Sequence, residues 1–511
     1  MSGYYGMSQN QTCDSEKTLE KVSRVAFASQ TGEAKDKEIY NMIDDVICQM
    51  FGSNGLAEII KPGDKVIIKV NFVSPNSGLR GEKGRAIITD PRIVRYVAEK
   101  VRSIIGFVGT ADLKVVDGTF YTDPNPSLKS AKSSFYWGRL ERTGDNVVNK
   151  KDFCYDYNAD GILDGTSMAK LVNLDSIGES GRQLYNIKLA DGTEVNVAFP
   201  KIFRKKEQAN GSDEYCDVLI GLPIFKNHGL LGITGAIKLH YGIRSMFGML
   251  GDTGRLGHDG LYYDENGVTH NKKKLIDYLC AQQLVRSYDF VIMDCLTANR
   301  QGPILPQGSV SSVPDPDMAA DYILTNAIMA SRDIVAIDTV ETAFAGYKQQ
   351  SIGILQEAAD NKLGINDPGH IVVEGITAFS THRKRIYDQY APLSKYPLST
   401  NGGAMLLDSI DAPFFVSVGE FTPDKPDKNL RYLWYNIEST KSNIKLNISR
   451  VELTVNGTIV EYKTGDELLS GQFKFDPSKV NFFNGAYLVC IVNAWDNIFN
   501  CVRSTEVFIK P

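Results

Sequence analysis

The stretch DVLIGLPIFKNHGLLGITGAIKLHYG, residues 217–242, decides the fold of this chain. It opens with DVLIGLPI, a near-continuous apolar run of the kind that forms a strand buried on both faces. Glycines break the chain after this strand, and AIKLHYGIRSMFGML (236–250) then predicts a helix. The apolar face of that helix is formed by Leu239, Ile243, Met246 and Leu250.

Five more runs of the same kind alternate with helical patterns. The predicted strands are VAFAS (25–29), KVIIKVNF (65–72), LKVVDG (113–118), FVIMDC (290–295) and HIVVEG (370–375). The helical patterns include PRIVRYVAEKVRSIIG (91–106) and KKLIDYLCAQQLVRSY (273–288). Alternation of this kind indicates an α/β fold with a largely parallel sheet flanked by helices.

Changes in the hydrophobic pattern along the sequence divide the chain into three parts. Residues 1–21 form a tail, residues 22–395 an α/β domain, and residues 396–511 a linker and an all-β domain. An inserted β-rich subdomain spans about 120–215, where YNIKLADGTEVNVAF (185–199) predicts a β-hairpin. The last part has short strands separated by Asn-Gly and Asp-Asn turns, and it resembles bacterial immunoglobulin-like (Ig-like) sandwiches. A domain of this kind suggests that the protein binds a protein or glycan partner.

Composition argues against several classes of protein. With 511 residues, of which 42% are hydrophobic and 23% charged, and a net charge of −5, the chain lacks the basic excess of a nucleic-acid-binding protein. No apolar run approaches the roughly 18 residues of a transmembrane segment. The eight cysteines form no CxxC pair, which argues against a zinc ribbon and against an iron–sulfur cluster.

The cell compartment stays open and bears on one pair of cysteines. No signal-peptide pattern is visible, so we expect a cytoplasmic protein if the chain is complete and an extracytoplasmic one if the N-terminus is processed. Cys490 and Cys501 flank a predicted turn, and in an exported protein they could form a disulfide.

Polar side chains follow four of the predicted strands at their carboxyl ends, where open parallel sheets bind ligands. They are Lys69 and Asn71, Asp117, Lys226 and His228, and Asp294. The lysines would neutralise an anionic small molecule or a nucleotide cofactor, while the histidine and the aspartates would act as acid, base or metal ligand. The alternative is that Asp and Asn occur there because they favour turns.

The glycine-rich loop after Lys226 adds a second group of candidates. Lys238 falls near the start of the predicted helix, where free N–H groups attract a phosphate or a carboxylate. Gly232, Thr234 and Gly235 precede it and are predicted to bind a cofactor. His240 falls on the opposite flank of the helix, and a structural role is predicted for it.

Between about residue 22 and residue 376 the chain resembles the family called domain of unknown function 362. The matching blocks are IKPGDKVIIKVNFV, ITDPRIVRYVAE, DVLIGLPIFKNHGLLGITGAIKLHYG, DCLTANRQGP and ASRDIVAIDTVETAFAG. The family's motif positions correspond to Lys69 and Asn71, Asp90 and Pro91, Lys226 and His228, Thr234 and Lys238, and Asp333 and Asp338. Leu239 stands where many relatives have Asn, and the ferredoxin-like cysteine module of many relatives is missing, so the resemblance does not imply electron transfer.

A shorter block is similar to the nickel-pincer lactate racemase family. That family has a His, nine residues and then a Lys in a glycine-rich loop, and His228 and Lys238 match this spacing. His258 matches a later His of the family. The resemblance implies a nucleotide-derived transition-metal cofactor, with imidazoles that move the α-proton of the substrate.

DYNADGILDGTS, residues 156–167, resembles the calcium loops of EF-hands and dockerins. Positions 1, 3, 5, 6 and 9 are Asp156, Asn158, Asp160, Gly161 and Asp164. Alternating oxygen ligands wrap around Ca²⁺, and Gly at position 6 permits the sharp turn. Ser167 stands at position 12, where a bidentate carboxylate is expected, so an Asp/Asn-rich turn without metal is the alternative. A calcium ion bound here would be structural.

Three functions therefore remain open at the level of sequence. The favoured one is an enzyme that binds an anionic small molecule or a cofactor at the strand ends. The second is an exported, calcium-stabilised binding or scaffold protein that uses the Ig-like domain. The third is a metal-binding accessory protein.

Overall fold

The computed structural model describes most of the chain between residues 22 and 509. The described residues are 22–72, 88–107, 109, 111–118, 155–156, 161–174, 177–228, 231–244, 251–256, 272–299, 322–390, 405, 407, 410–442, 445–465, 468–480 and 487–509. Three of the predicted site residues, Asn158, Asp160 and His258, lie outside these ranges.

Twelve strands and seven α-helices are described up to residue 390. The strands are β1 (Ser23–Ser29), β2 (Lys65–Val70), β3 (Asp112–Asp117), β4 (Lys170–Asn173), β5 (Arg182–Lys188), β6 (Glu194–Pro200), β7 (Val218–Leu222), β8 (Ile224–His228), β9 (Gly232–Ile233), β10 (Phe290–Asn299), β11 (Tyr322–Ser331) and β12 (Ile371–Glu374). The helices are α1 (Asp36–Phe51), α2 (Pro91–Ile105), α3 (Gly235–Leu239), α4 (Lys272–Val285), α5 (Ile334–Phe344), α6 (Gly353–Asp360) and α7 (Ile376–Tyr390).

Ten of these strands form one mixed sheet. Its order is β12-β1-β11-β10-β7-β2-β3-β4, with β8 paired to β10 and β9 paired to β8. The pairs in this order are parallel except those of β11, which runs antiparallel to β1 and to β10. The predicted α/β fold with a largely parallel sheet flanked by helices is confirmed, and all six predicted strands belong to this sheet.

Strand β11 was not predicted, because polar residues interrupt its apolar pattern. Thr325 and Asn326 lie in the middle of the strand, and Asn326 has a positive φ of 46°. The side chain of Asn326 accepts a hydrogen bond from the backbone of Ala34, which precedes α1. A tertiary contact therefore stabilises a residue that breaks the local pattern of a strand.

Alternation along the strands divides the hydrophobic core between the two faces of the sheet. Val25 and Phe27 of β1 belong to the cluster that includes residues of α4, α5 and α7. Ala26 and Ala28 belong to the cluster of α1 and α2. Helices cover both faces, which explains why the strand sequences are apolar almost throughout.

The helix predicted over residues 236–250 is much shorter in the structure. Helix α3 ends at Leu239, a 3-10 turn follows over His240–Ile243, and Arg244 has an extended backbone. The predicted helix therefore does not continue through Arg244, and Met246 and Leu250, the last two residues of its predicted apolar face, lie outside the described residues. The bend brings the chain at Gly242 against the ends of β2 and β3, a tertiary contact that helical periodicity does not reveal.

The predicted hairpin is confirmed. Strands β5 and β6 pair antiparallel in a two-stranded sheet of their own. The same part of the chain also supplies β4, which pairs with β3 at the edge of the main sheet. Arg182 anchors the hairpin, because its buried guanidinium donates hydrogen bonds to the carbonyl oxygens of Leu174, Ala198 and Ile243.

The C-terminal part forms two antiparallel sheets. Its strands are β13 (Phe414–Glu420), β14 (Arg431–Ser439), β15 (Ile448–Val455), β16 (Thr458–Thr464), β17 (Ser470–Phe475), β18 (Leu488–Asp496), β19 (Cys501–Arg503) and β20 (Val507–Ile509). One sheet has the order β13-β14-β17, and the other has the order β16-β15-β18-β19 with β20 beside β18. Both sheets contribute to one hydrophobic cluster, in which Leu433 and Phe473 belong to the first sheet and Leu453 and Val492 to the second.

The disulfide between Cys490 and Cys501 does not form. Cys490 lies opposite Val507, whereas Cys501 lies opposite Trp495. Cys490 and Trp495 are five residue steps apart on β18, or roughly 17 Å. Because Cys501 lies opposite Trp495, it is too far from Cys490 for a disulfide, which requires Cα atoms within about 7 Å. Both thiols are free, which answers the question that the sequence left open for an exported protein.

The second C-terminal sheet contacts α7 through buried polar and aromatic groups. Arg383 of α7 is 2% exposed and donates hydrogen bonds to Ala343 O, Ile498 O and Asn500 Oδ1. Beside it, the rings of Phe379 and Phe499 pack edge to face. None of the described helices combines the length and the apolar character that crossing a bilayer requires.

We predict that Arg383→Met destabilises the protein by about 2–4 kcal/mol, because three buried carbonyl oxygens lose a charged donor. Urea denaturation followed by circular dichroism measures this change. Lys384→Met is the matched control, since the side chain of Lys384 is 48% exposed and its ion pairs with Asp388 and Asp411 lie at the surface. The control is expected to change stability by less than about 1 kcal/mol, and equal effects of both variants would contradict the prediction.

Candidate functional site

A buried ion pair joins the carboxyl ends of β2 and β3. Lys69 Nζ lies 2.6 Å from Asp117 Oδ1, and the two side chains are 1% and 3% exposed. Lys69 also donates a hydrogen bond to Val70 O, at 2.8 Å. Asp117 accepts hydrogen bonds from the backbone N–H groups of Phe72 and Gly118, at 2.5 and 2.8 Å. The pair thus fixes the chain where it leaves both strands.

Burial dominates the electrostatics of this pair. It raises the pKa of the Asp117 carboxyl, although the charge of Lys69 and the backbone donors favour the ionised form. The backbone at Gly242 covers the pair so closely that a Cβ atom there would overlap the carboxylate of Asp117 and crowd Lys69 Nζ. The absence of a side chain at Gly242 therefore permits this close approach.

Lys226 is the second lysine of the site. It lies on β8, is 2% exposed, and its Nζ is 3.4 Å from Asn71 Oδ1. Burial lowers the pKa of the Lys226 ammonium well below its usual value, and the nearby charge of Lys238 lowers it further. The structure thus brings together Lys226 and Asn71, which the sequence placed after two different strands.

Lys238 of α3 is the third lysine. It is partly exposed, and its Nζ lies 5.3 Å from the centre of the Tyr241 ring. Burial and then the charge of Lys69 lower the pKa of Lys238 to about 8, and Arg244 acts in the same direction. Three lysine side chains therefore lie within electrostatic range of the carboxylate of Asp117.

The start of α3 is not the anion site that the sequence suggested. The carboxylate of Asp338, on α5, accepts hydrogen bonds from Ala236 N and Ile237 N, at 2.6 and 2.9 Å. Gly235 has a positive φ of 54°, and a Cβ atom there would overlap this carboxylate. The chain supplies its own anion at this position, so Gly235 serves packing against α5.

Two buried acids share the space below this loop. Burial raises the pKa of Asp338 to about 7. It also raises the pKa of Glu341, one turn further along α5, well above its usual value, and the charge of Asp338 adds to the effect. Sequence analysis did not single out Glu341, although its i, i+3 spacing from Asp338 places both acids on one face of α5.

The other two loop residues predicted to bind a cofactor line the turn between β8 and α3. Gly232 is opposite His228 in the short β8–β9 ladder and has a φ of 89°. Thr234 is buried, and its backbone N–H donates a hydrogen bond to Lys226 O. This turn sets the position of α3 relative to β8.

His228 ends β8 and is 1% exposed. It lies two residues after Lys226, so the alternation of the strand places both side chains on the same face. Its Nδ1 accepts a hydrogen bond from Leu231 N, at 3.3 Å. Because a backbone N–H can only donate, the neutral ring carries its proton on Nε2.

Asp294 lies on β10 and has a structural partner at each oxygen. It accepts hydrogen bonds from Asp90 N, at 2.8 Å, and from Leu296 N, at 3.0 Å. Burial and the neighbouring Asp90 raise the pKa of Asp294 to about 7. Asp90 is the N-cap of α2, as its place before Pro91 suggests. It also forms an ion pair with Arg92.

Two residues that the sequence analysis did not select hold these parts together. Thr89 accepts a hydrogen bond from Asn71 N and donates one to Leu222 O. Tyr155 donates a hydrogen bond to Thr89 O, and burial raises the pKa of its hydroxyl, with a further contribution from the charges of Asp90 and Asp294. Thr89 precedes a recognisable helix start, whereas no sequence pattern marks Tyr155.

The described part of the calcium-like loop is folded back on itself. Asp156 is 2% exposed and accepts a hydrogen bond from Gly161 N, at 3.0 Å. Asp164 donates its backbone N–H to Tyr155 O. Ser167, at position 12, donates hydrogen bonds from its backbone and its hydroxyl to Glu99 of α2. Within the described ranges no group of three or more His, Cys, Asp or Glu residues is arranged to hold a metal ion.

The fold and this site define an α/β protein with a lysine-rich, buried polar cluster at the carboxyl edge of its sheet. The family model "Domain of unknown function (DUF362)" matches residues 177–343 and confirms the predicted resemblance over that range. The match includes Lys226, His228, Lys238 and Asp294, whereas Lys69, Asn71 and Asp117 precede it.

Two further comparisons give little. A search of curated proteins gave no match. Among solved structures, the crystal structure of the Clostridium perfringens spore cortex lytic enzyme SleM is similar at 16% identity, with 34% of this chain and 76% of that chain covered. The TM-score of 0.17 is too low for a conclusion about fold or function.

His240 has the structural role that the sequence predicted. It is fully buried, its Nε2 donates to Arg286 O at 2.5 Å, and its Nδ1 accepts from Tyr288 OH at 2.6 Å. Burial lowers the pKa of His240 to about 3. The neutral ring therefore connects the 3-10 turn after α3 to the segment between α4 and β10.

We predict that His240 makes the protein less stable as the pH falls below about 6.5. Below this pH the imidazole of His240 binds a proton in the unfolded chain but stays neutral in the folded chain. From pH 6.5 to pH 5 the loss is about 2 kcal/mol, at ~1.4 kcal/mol per pH unit. His240→Asn is expected to be less stable at pH 7.5 and to show a shallower loss on acidification. Denaturant titrations at several pH values test this, with His370→Asn as control; an unchanged slope in the His240 variant would contradict it.

Proposed function

We propose that the protein is an enzyme that binds a small anionic molecule at Lys226 and Lys238. The observation that supports this proposal is the cluster of three lysines around Asp117 at the carboxyl edge of the sheet. The charge of Lys69 is already matched by Asp117. Lys238 lies within electrostatic range of two further cations, Lys69 and Arg244, and a bound carboxylate or phosphate would relieve this repulsion.

Each residue then has a distinct task. Lys238, which keeps some exposure, contacts the anion, and Lys226 lies deeper at the floor of the site. His228 offers an Nε2–H on the same face of β8 as Lys226 and acts as a hydrogen-bond donor to the bound molecule. Asp117 and Asp294 are positioning residues, because each of their oxygens already accepts a hydrogen bond.

A nucleotide-derived nickel cofactor, as in the lactate racemase family, would be a narrower form of this proposal. Lys238 suits the anionic part of such a cofactor. The imidazole of His228 does not suit a metal, because Nδ1 accepts from Leu231 N and Nε2 therefore carries the proton. We therefore derive no chemistry through a transition metal.

The second candidate function is calcium-stabilised binding through the C-terminal sheets. We infer that these sheets form an Ig-like domain over 396–511, since both contribute to one hydrophobic cluster. Calcium binding is favoured by the hydrogen bond from Gly161 N to Asp156, which closes the loop between positions 1 and 6. Glu99, beside Ser167, supplies a carboxylate near the position where the loop itself lacks one.

We predict that inorganic phosphate and malonate each raise the melting temperature of the protein in a saturable manner. Lys238→Gln is expected to weaken this binding at least tenfold, with the melting temperature of the free protein almost unchanged, because the side chain is partly exposed. Isothermal titration calorimetry gives the affinities. Lys274→Gln, on the exposed side of α4, is the control and keeps wild-type binding; equal binding by both variants would refute the anion site.

We predict that calcium raises the melting temperature of the chelator-treated protein and that magnesium at equal concentration does not. Asp160→Ala is expected to abolish this calcium-dependent rise, since position 5 supplies a ligand oxygen. Asp424→Ala, an exposed residue of the C-terminal part, serves as control. A wild-type protein without any calcium-dependent rise would remove the calcium proposal.

A further inference from the structure

The three lysines of the site differ in their surroundings, and this difference points to different chemical tasks. Lys69 is held as an ammonium by Asp117, at 2.6 Å. Lys238 keeps some exposure on α3. Lys226 is fully buried, with the neutral amide oxygen of Asn71 at 3.4 Å, and Lys238 lies near enough for its charge to be felt.

We propose that Lys226 is a nucleophile that forms a Schiff base with a small aldehyde or ketone bearing a phosphate or carboxylate group. The inference rests on the proposed anion site, because Lys238 would hold the anionic group while the carbonyl carbon faces Lys226 Nζ. It specifies the substrate class: a carbonyl compound with an anionic group.

Physical chemistry favours Lys226 for this step over its two neighbours. Only an uncharged amine attacks a carbonyl carbon, and lysines become uncharged near neutral pH when they are desolvated or lie beside another cation. Both conditions are met at Lys226, where burial and Lys238 lower the pKa of the ammonium. Lys69 fails the test because its partner stabilises the charged form.

The step balances in atoms and charge. Lys226 Nζ forms a bond to the carbonyl carbon, the π electrons move to the oxygen, and a proton passes from Nζ to this oxygen to give a neutral carbinolamine. The hydroxyl group then takes up a second proton, from solvent, and leaves. This loss of one water molecule gives the iminium ion. His228, on the same face of β8 and with its proton on Nε2, is placed to donate a hydrogen bond to the leaving oxygen, and the neutral ring keeps that proton.

Pyridoxal 5′-phosphate is the probe, since it combines an aldehyde with a phosphate. The full-length protein is treated with the probe at pH 7, reduced with borohydride and digested, and the modified lysines are identified by peptide mass spectrometry. We expect Lys226 to be labelled at least tenfold faster than any exposed lysine. Inorganic phosphate should protect it, and pyridoxal without the phosphate should label it poorly.

Variants and pH distinguish this chemistry from general labelling. Lys226→Arg keeps the positive charge and should lose the label, while Lys238→Gln should reduce labelling at a fixed probe concentration at least tenfold. Between pH 7 and pH 9, labelling of exposed lysines should rise about 100-fold, because each pH unit below the pKa is a factor of ten. Labelling of Lys226 should rise far less.

The outcomes separate the two proposals. If phosphate still raises the melting temperature but the label falls on Lys238 or on surface lysines, the Schiff base is refuted and the anion site stands. If phosphate neither stabilises the protein nor protects any lysine, both proposals fall. The mapping uses the wild-type protein, so the conclusion does not depend on whether Lys226→Arg folds.

Discussion

The ion pair between Lys69 and Asp117 lies where two neighbouring parallel strands end, out of reach of water. A pair of this kind is costly to bury and more costly to break, at about 3–5 kcal/mol when one partner is removed. Its value lies in geometry: Asp117 also holds the backbone of Phe72 and Gly118, so one carboxylate sets the course of the chain after both strands. The close approach of Gly242 then places the chain that follows α3 over the same edge of the sheet.

Much of this fold follows from local pattern, and the exceptions have physical causes. The six apolar runs became strands of one largely parallel sheet because helices cover both of its faces. Strand β11 escaped prediction because Asn326 is stabilised by a contact with Ala34, almost three hundred residues earlier. The helix that contains Lys238 was predicted too long. Helical periodicity does not reveal that the chain bends near Gly242, where its backbone meets Asp117. Strand register decides whether Cys490 and Cys501 face each other, and the predicted turn between them does not reveal this register.

The candidate site was predictable in its residue types and only partly in its geometry. The rule that ligands bind beyond the carboxyl ends of parallel strands selected Lys69, Asn71, Asp117 and Lys226, and the structure brings these four together. The same rule selected Asp294, whose oxygens instead fix the start of α2 and the end of its own strand. The rule cannot separate a side chain that faces a ligand from one that satisfies the backbone, since both occur after strands.

That distinction decides which groups are left for chemistry. In Asp117, Asp294 and Asp338 each carboxylate oxygen accepts at least one hydrogen bond from a backbone N–H or from Lys69. Burial raises the pKa of all three, yet a proton added to any of these oxygens would compete with a donor that is already bound there. The acids are therefore poor proton carriers despite their raised pKa values, and they act on the site by fixing its backbone. Lys226 differs from Lys69 in this respect, because loss of its proton would leave these backbone hydrogen bonds and the pair of Lys69 with Asp117 intact.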